Sequence, residues 1–279
     1  MVLHESFLRY RNYRWLVLSL FGLGAALVAY GLDHPARGRG GGTPTGLALG
    51  SVSAALIVWL LWFGVRKRSY AAGGPPLVGW LSAHVYLGTA LLLLVPLHAG
   101  FRFGWDIHTL AYVLMSTVIV SGLAGAALYR RVPRLMTANR SGEKLTALFE
   151  RVDGIDAECR VLARDIESVA PLVERSVTRT AVGGGLWRQL AARDRSCPTA
   201  EALTTLRKHA EGGTLGMAER ETVKKLLALL AQKRELLGQI RRDVRWKAWL
   251  DVWLLAHVPL SAATIAAVAI HVFVVFYYP

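Results

Sequence analysis

Four histidines of this chain fall into two pairs of one spacing, His84 with His98 and His257 with His271, fourteen positions apart in each case. The thirteen residues inside each pair carry no charge. On an α-helix, at about 100° and 1.5 Å per residue, fourteen steps close to within roughly 40° of four whole turns and rise ~21 Å. Each pair would stand on one helix face, with one imidazole toward each side of a ~30 Å hydrocarbon layer. Ionisable groups at that depth are costly and mark function. Two helices carrying two such imidazoles each predict two metal centres stacked through a bilayer. The centre that takes two axial imidazoles and little else from the protein is haem b, and a six-coordinate iron with no open position transfers electrons.

The pairs need long apolar helices, and the chain supplies five. An apolar run from Trp15 to Leu32 follows Arg9, Arg11 and Arg14 and has no convincing cleavage site, so it reads as a retained first span. A Gly- and Pro-rich loop, Asp33 to Thr45, leads to a second span from about Gly46 to Val65 that stops at Arg66-Lys67-Arg68. After a linker, Ala71 to Pro76, the third span covers about Leu77 to Phe101 and carries His84 and His98. The loop Arg102 to Asp106 is short enough to force an antiparallel return. The fourth span, about Ile107 to Tyr129, ends at Arg130-Arg131 with Arg134 close behind.

These basic clusters predict a cytoplasmic N-terminus, a cytoplasmic insert and a C-terminus on the outer face. Spans three and five then run parallel, which pairs His84 with His257 near the cytoplasmic leaflet and His98 with His271 near the outer one. The expected architecture is an all-α membrane protein of five transmembrane helices with a cytoplasmic helical-hairpin insert between helices 4 and 5. Its parts are residues 1–130 (helices 1–4), 131–245 (insert) and 246–279 (helix 5).

In the insert, Leu145, Leu148, Val152, Ile155, Cys159, Leu162, Ile166 and Val169 recur by threes and fours, as a coiled-coil seam does. Val223, Leu226, Leu230, Leu237, Ile240 and Val244 keep the same rhythm, with Lys233 interrupting one core position. Gly183-Gly184-Gly185, Pro198 and Gly212-Gly213 mark turns around a shorter helix near Ala200 to His209. The returning arm is expected to run on into span five.

Other residues have ordinary uses beside their functional ones. Gly88, Gly122 and Gly125 would let a flat macrocycle approach the backbone, or serve helix packing alone. Pro96 and Pro259 sit two residues from a histidine, where either could open its helix. Arg102, one turn beyond His98, is placed to meet haem propionates on the outer side, and Arg245 or Lys247 inside; snorkelling explains them equally. Trp80, Trp105, Trp246, Trp249, Trp253, Tyr277 and Tyr278 fall at span ends and read as an aromatic belt. His108 opens span four and is a candidate donor to a quinone oxygen. His4, His34 and His209 lie in polar segments.

Composition narrows the class further. With 53% hydrophobic residues among 279, the chain is too apolar for an ordinary soluble domain. The net charge of +14 gathers at span ends and in the insert, where topology and anionic headgroups account for it without nucleic acid. Two lone cysteines, Cys159 and Cys197, exclude a covalently attached c-type haem and an intrinsic thiolate-held iron–sulfur cluster, and read as free structural thiols. No Asp, Glu, Lys or Arg lies inside a span; Asp33, Asp106 and Asp251 are all at ends. That argues against an ion-coupled transporter or proton channel.

The paired histidines resemble those of the dihaem cytochrome b in quinol-cytochrome c reductases, with thirteen intervening residues and ligation across two helices. The five spans are also similar to the membrane subunits of nitrate reductase and related quinone-linked oxidoreductases. The resemblance covers the spans, about 140 residues. It implies two haem b groups, a quinone as a further ligand, and a place in the inner membrane of a bacterium beside iron–sulfur, flavoprotein or multihaem subunits. A Pro-Glu-Trp-Tyr quinol motif is absent, and the basic insert matches neither family, so it is expected to dock a partner or a second copy of the chain. Without a hydride-binding or flavin motif, chemistry on a soluble substrate falls to other subunits. A reading from another class keeps the insert as the active part: a membrane-anchored scaffold or signalling protein whose histidines only bridge helices.

Overall fold

The computed structural model describes residues 7–36, 38–69, 77–180, 182–191, 197–212 and 216–277. His4, the linker at 71–76, Gly213 and Tyr278 lie outside them. Every long element among the described residues is helical: α1 (Arg14–Leu32), α2 (Pro44–Ser69), α3 (Leu77–Ala99), α4 (Ile107–Asn139), α5 (Leu145–Ala163), α6 (Ala170–Arg179), α7 (Leu186–Ala191), α8 (Pro198–Glu211) and α9 (Met217–Tyr277). Five of them, α1 to α4 and α9, are long and apolar enough to cross a membrane. The chain divides into two compact units, residues 1–127 with 253–279, and residues 128–252. The sequence placed these boundaries after 130 and after 245.

In the first unit α3 is the helix that others surround. Its apolar window is 39% buried, against 11% in α1 and 22% in α2. Ala26 of α1, Leu49 and Leu60 of α2, Ala90, Leu91, Leu94 and Leu97 of α3 and Met115 of α4 make one buried cluster. Large apolar side chains on the outer faces stay open, Phe21 and Leu32 at 76% exposure each. A water-soluble domain would not leave such faces bare, whereas hydrocarbon is their natural solvent.

Helix α3 ends two residues earlier than its apolar run suggests, for a local reason. Gly100 takes a left-handed φ of 64°. Its N–H then reaches the Leu97 carbonyl at 3.3 Å while the Phe101 N–H reaches that of Pro96 at 2.9 Å. This Schellman closure satisfies carbonyls the helix end would leave orphaned. A Cβ at position 100 would also overlap the Arg39 carbonyl, so glycine answers two demands there.

The second unit departs from a two-armed hairpin. Its core takes Leu148, Val152, Ile155 and Cys159 from α5, Val173 from α6, Leu203 and Leu206 from α8 and Val223, Leu226, Leu230 and Ile240 from α9. The first seam breaks after Ala163, where the periodicity alone would carry a helix on to Val169. Pro171, within the first turn of α6, has no N–H to give the carbonyl four residues back, so the chain turns and starts again. The four-residue step Ile166 to Ala170 is closed by a 3.0 Å hydrogen bond. The second seam does continue without interruption into the last apolar stretch, as one helix of 61 residues.

Lys233, read as a break in that seam, lies inside the core at 1% exposure. Its Nζ is 2.5 Å from Asp156 Oδ1 and donates to the Ser176 carbonyl at 3.0 Å. The Ser176 hydroxyl in turn hydrogen-bonds the Thr199 hydroxyl at 2.9 Å. Burial pushes the Asp156 carboxyl above the usual carboxylate range even though Lys233 pulls it down. Both cysteines are buried free thiols, and burial pushes Cys159 up to about 11.

Candidate functional site

The four paired histidines all belong to the first unit. His98 of α3 and His271 of α9 have ring centroids 6.1 Å apart with planes crossing at 79°. His84 and His257 lie within electrostatic range of each other. Because the pairs meet in the same order along both helices, α3 and the last stretch of α9 run in one direction.

The hydrogen bonds of these rings settle which nitrogen carries the proton. His84 Nδ1 lies 3.1 Å from the Leu60 carbonyl, and His98 Nδ1 lies 2.7 Å from the Gly46 carbonyl. A carbonyl only accepts, so both Nδ1 atoms donate. His257 Nδ1 is 2.6 Å from Ser121 Oγ. The Val118 carbonyl, 3.0 Å from that hydroxyl, can take its proton, and in that arrangement the hydroxyl accepts from the imidazole. In all three rings Nε2 keeps its lone pair, the state in which histidine binds metals. The fourth ring differs: His271 Nδ1 is buried without a hydrogen-bond partner among the described residues.

Small residues make room for these rings. A Cβ on Gly50 would run into the His98 imidazole, and one on Gly41 would approach it to 3.0 Å. Gly122 would place a Cβ 3.4 Å from His257 Cε1, and Gly125 has no space for one because the Trp253 indole fills it. Gly122 and Gly125 therefore admit side chains of α9, the packing use expected of small residues at helix contacts. A Cβ on Gly88 would meet only Leu60, at 3.7 Å. Trp253, expected at a span end, packs against its neighbours. Its ring stacks on His257 at 5.0 Å and 22°, and its Nε1 donates to the Ser121 carbonyl at 2.7 Å. Trp80 stacks on Trp59 at 5.0 Å, while Trp105 is fully open.

His108 sits against the orphaned ring, its centroid 4.4 Å from that of His271, and its Nδ1 is 3.6 Å from Asp106. Arg102 is exposed and lines an open pocket of about 480 Å³ with Asp33, His34, Pro35, Gly38, Arg39 and Gly100. His34 bonds the Leu32 carbonyl locally at 2.9 Å, and His209 bonds that of Thr205 at 3.0 Å. Arg245 and Lys247 belong to the second unit. Ser121 was not singled out in the sequence, because a lone serine in an apolar helix carries no signal until its neighbour across the contact is known.

The His98/His271 spacing is that of two imidazoles on one six-coordinate iron. Two imidazoles sharing one iron through Nε2, at about 2 Å per bond, have centroids about 6 Å apart, and His98 and His271 stand at 6.1 Å. No cluster of three or more His, Cys, Asp or Glu side chains suited to a bare metal ion occurs among the described residues.

Fold and site together define a multi-pass, all-helical membrane protein with a column of four histidines between two co-directional helices. Neither a family model, nor a curated protein, nor a solved structure matches the chain.

Proposed function

We propose that the chain is a dihaem b-type cytochrome carrying electrons across a bacterial inner membrane, between a cytoplasmic redox partner or the quinone pool and a carrier on the outer face. The observation that supports this most is the set of anchored imidazoles: three of the four paired histidines spend Nδ1–H on a protein acceptor and keep Nε2 for a ligand. His84 and His257 would hold one haem, His98 and His271 the other. Each haem supplies a reversible one-electron centre, and the protein contributes axial ligands, their orientation and a dry setting.

Arg102 is exposed near the His98 end of α3 and suits a propionate there. His108 remains the candidate contact for a quinone. The insert, with its own core and no cofactor motif, suits docking of an iron–sulfur, flavoprotein or multihaem subunit, or of a second copy. Purified in detergent, the protein should show reduced α and β absorption bands with dithionite and about two haems per chain by pyridine haemochrome. A colourless preparation with intact helicity would overturn the reading.

A further inference from the structure

We infer that Ser121, together with Trp253, tunes the electron affinity of the His84/His257 centre. This rests on the dihaem reading and adds to it residues outside the ligand set. Ser121 and Trp253 close on His257 from two sides. The hydroxyl accepts from Nδ1 at 2.6 Å, and the indole lies nearly parallel to the imidazole at 5.0 Å. The clamp is itself tied, since the indole Nε1 donates to the carbonyl of the same serine at 2.7 Å. Gly125 supplies the room for the indole. Ring orientation and proton position at His257 are thus fixed by one residue of α4 and one of α9.

A short bond from Nδ1–H makes an imidazole a stronger electron donor to the metal on its other nitrogen. That donation favours the oxidised, more positive iron and lowers the potential of the centre. At His84 and His98 the acceptor is a backbone carbonyl, which no side-chain substitution removes. At His257 it is a side chain. The chain therefore has one ligand whose donor strength is set by a replaceable residue.

The experiment is a potentiometric titration of the reduced α band on the full-length protein, with low-temperature electron paramagnetic resonance of the ferric state as a second readout. Ser121→Ala should keep two haems, raise one midpoint potential, shift one low-spin signal and leave the other haem unchanged. Ser121→Thr keeps the hydroxyl and should restore both values. Two unchanged potentials in Ser121→Ala, on a protein that holds two haems, would overturn this inference and leave the dihaem reading standing. A wild-type preparation without haem would overturn the dihaem reading and this with it. Should Ser121→Ala hold a single haem, retention of both in Ser121→Thr supports the role of the hydroxyl, and loss in both variants overturns it.

Discussion

On the dihaem proposal, replacing His98 by alanine should remove one of two haems, seen as about half the pyridine haemochrome yield per chain and the loss of one component in the redox titration. An iron that loses one of two axial imidazoles keeps a single bond from the protein and an open position, and alanine cannot substitute for it. The pairing makes a sharper demand on double variants. His98 and His271 are neighbours at 6.1 Å, so removing both should still leave the other haem in place. Removing His98 and His257 should empty both positions. If the first double variant were haem-free while the second kept a haem, the partners would be exchanged and the assignment wrong.

A second large effect is expected in the insert. Asp156→Ala would leave the Lys233 ammonium inside the core with only Ser176 for company. Removing one member of a buried ion pair typically costs about 3–5 kcal/mol, whereas replacing both by apolar residues of similar volume is often neutral or stabilising by about 1–4 kcal/mol. Asp156→Leu with Lys233→Met should therefore be at least as stable as the parent. Cys159 offers a reporter in the same core: it is fully buried and its thiol is pushed up to about 11. It should resist alkylation until this unit opens. Thermal ramps with mass-spectrometric readout of Cys159 labelling should rank the single variant well below both the parent and the double variant. A double variant as weak as the single one would contradict the account of the pair.

The contrast between these sites explains what could be read in advance. The five apolar helices were legible because length and hydropathy suffice for a span. The pairing of His84 with His257 and His98 with His271 followed from equal spacing plus the direction of two helices. The hydrogen bonds behind the rings were not legible, since Leu60, Gly46 and Ser121 are 24, 52 and 136 positions from the histidines they meet. The contacts of Trp253 were not legible for a related reason. Aromatic residues near a span end satisfy the interface rule whether they face headgroups or a neighbouring helix, and only the vacancy at Gly125 decides between them. Lys233 stood out as an exception in its heptad, but its partner Asp156 sits one position past the seam residue Ile155, where the periodicity gives no sign of burial. The break after Ala163 needed the weight of Pro171 against a continuing apolar rhythm.

On the dihaem proposal, the His271 nitrogen that has no partner among the described residues would make the two haem positions unequal in how they fill. Support behind a metal-bound histidine is commonly worth about 10- to 100-fold in affinity, and the His98/His271 position has it on one ring where the other position has it on two. In a cell short of porphyrin, the His84/His257 position would then load first, and the half-filled protein would be a dead end for charge rather than a slower conduit.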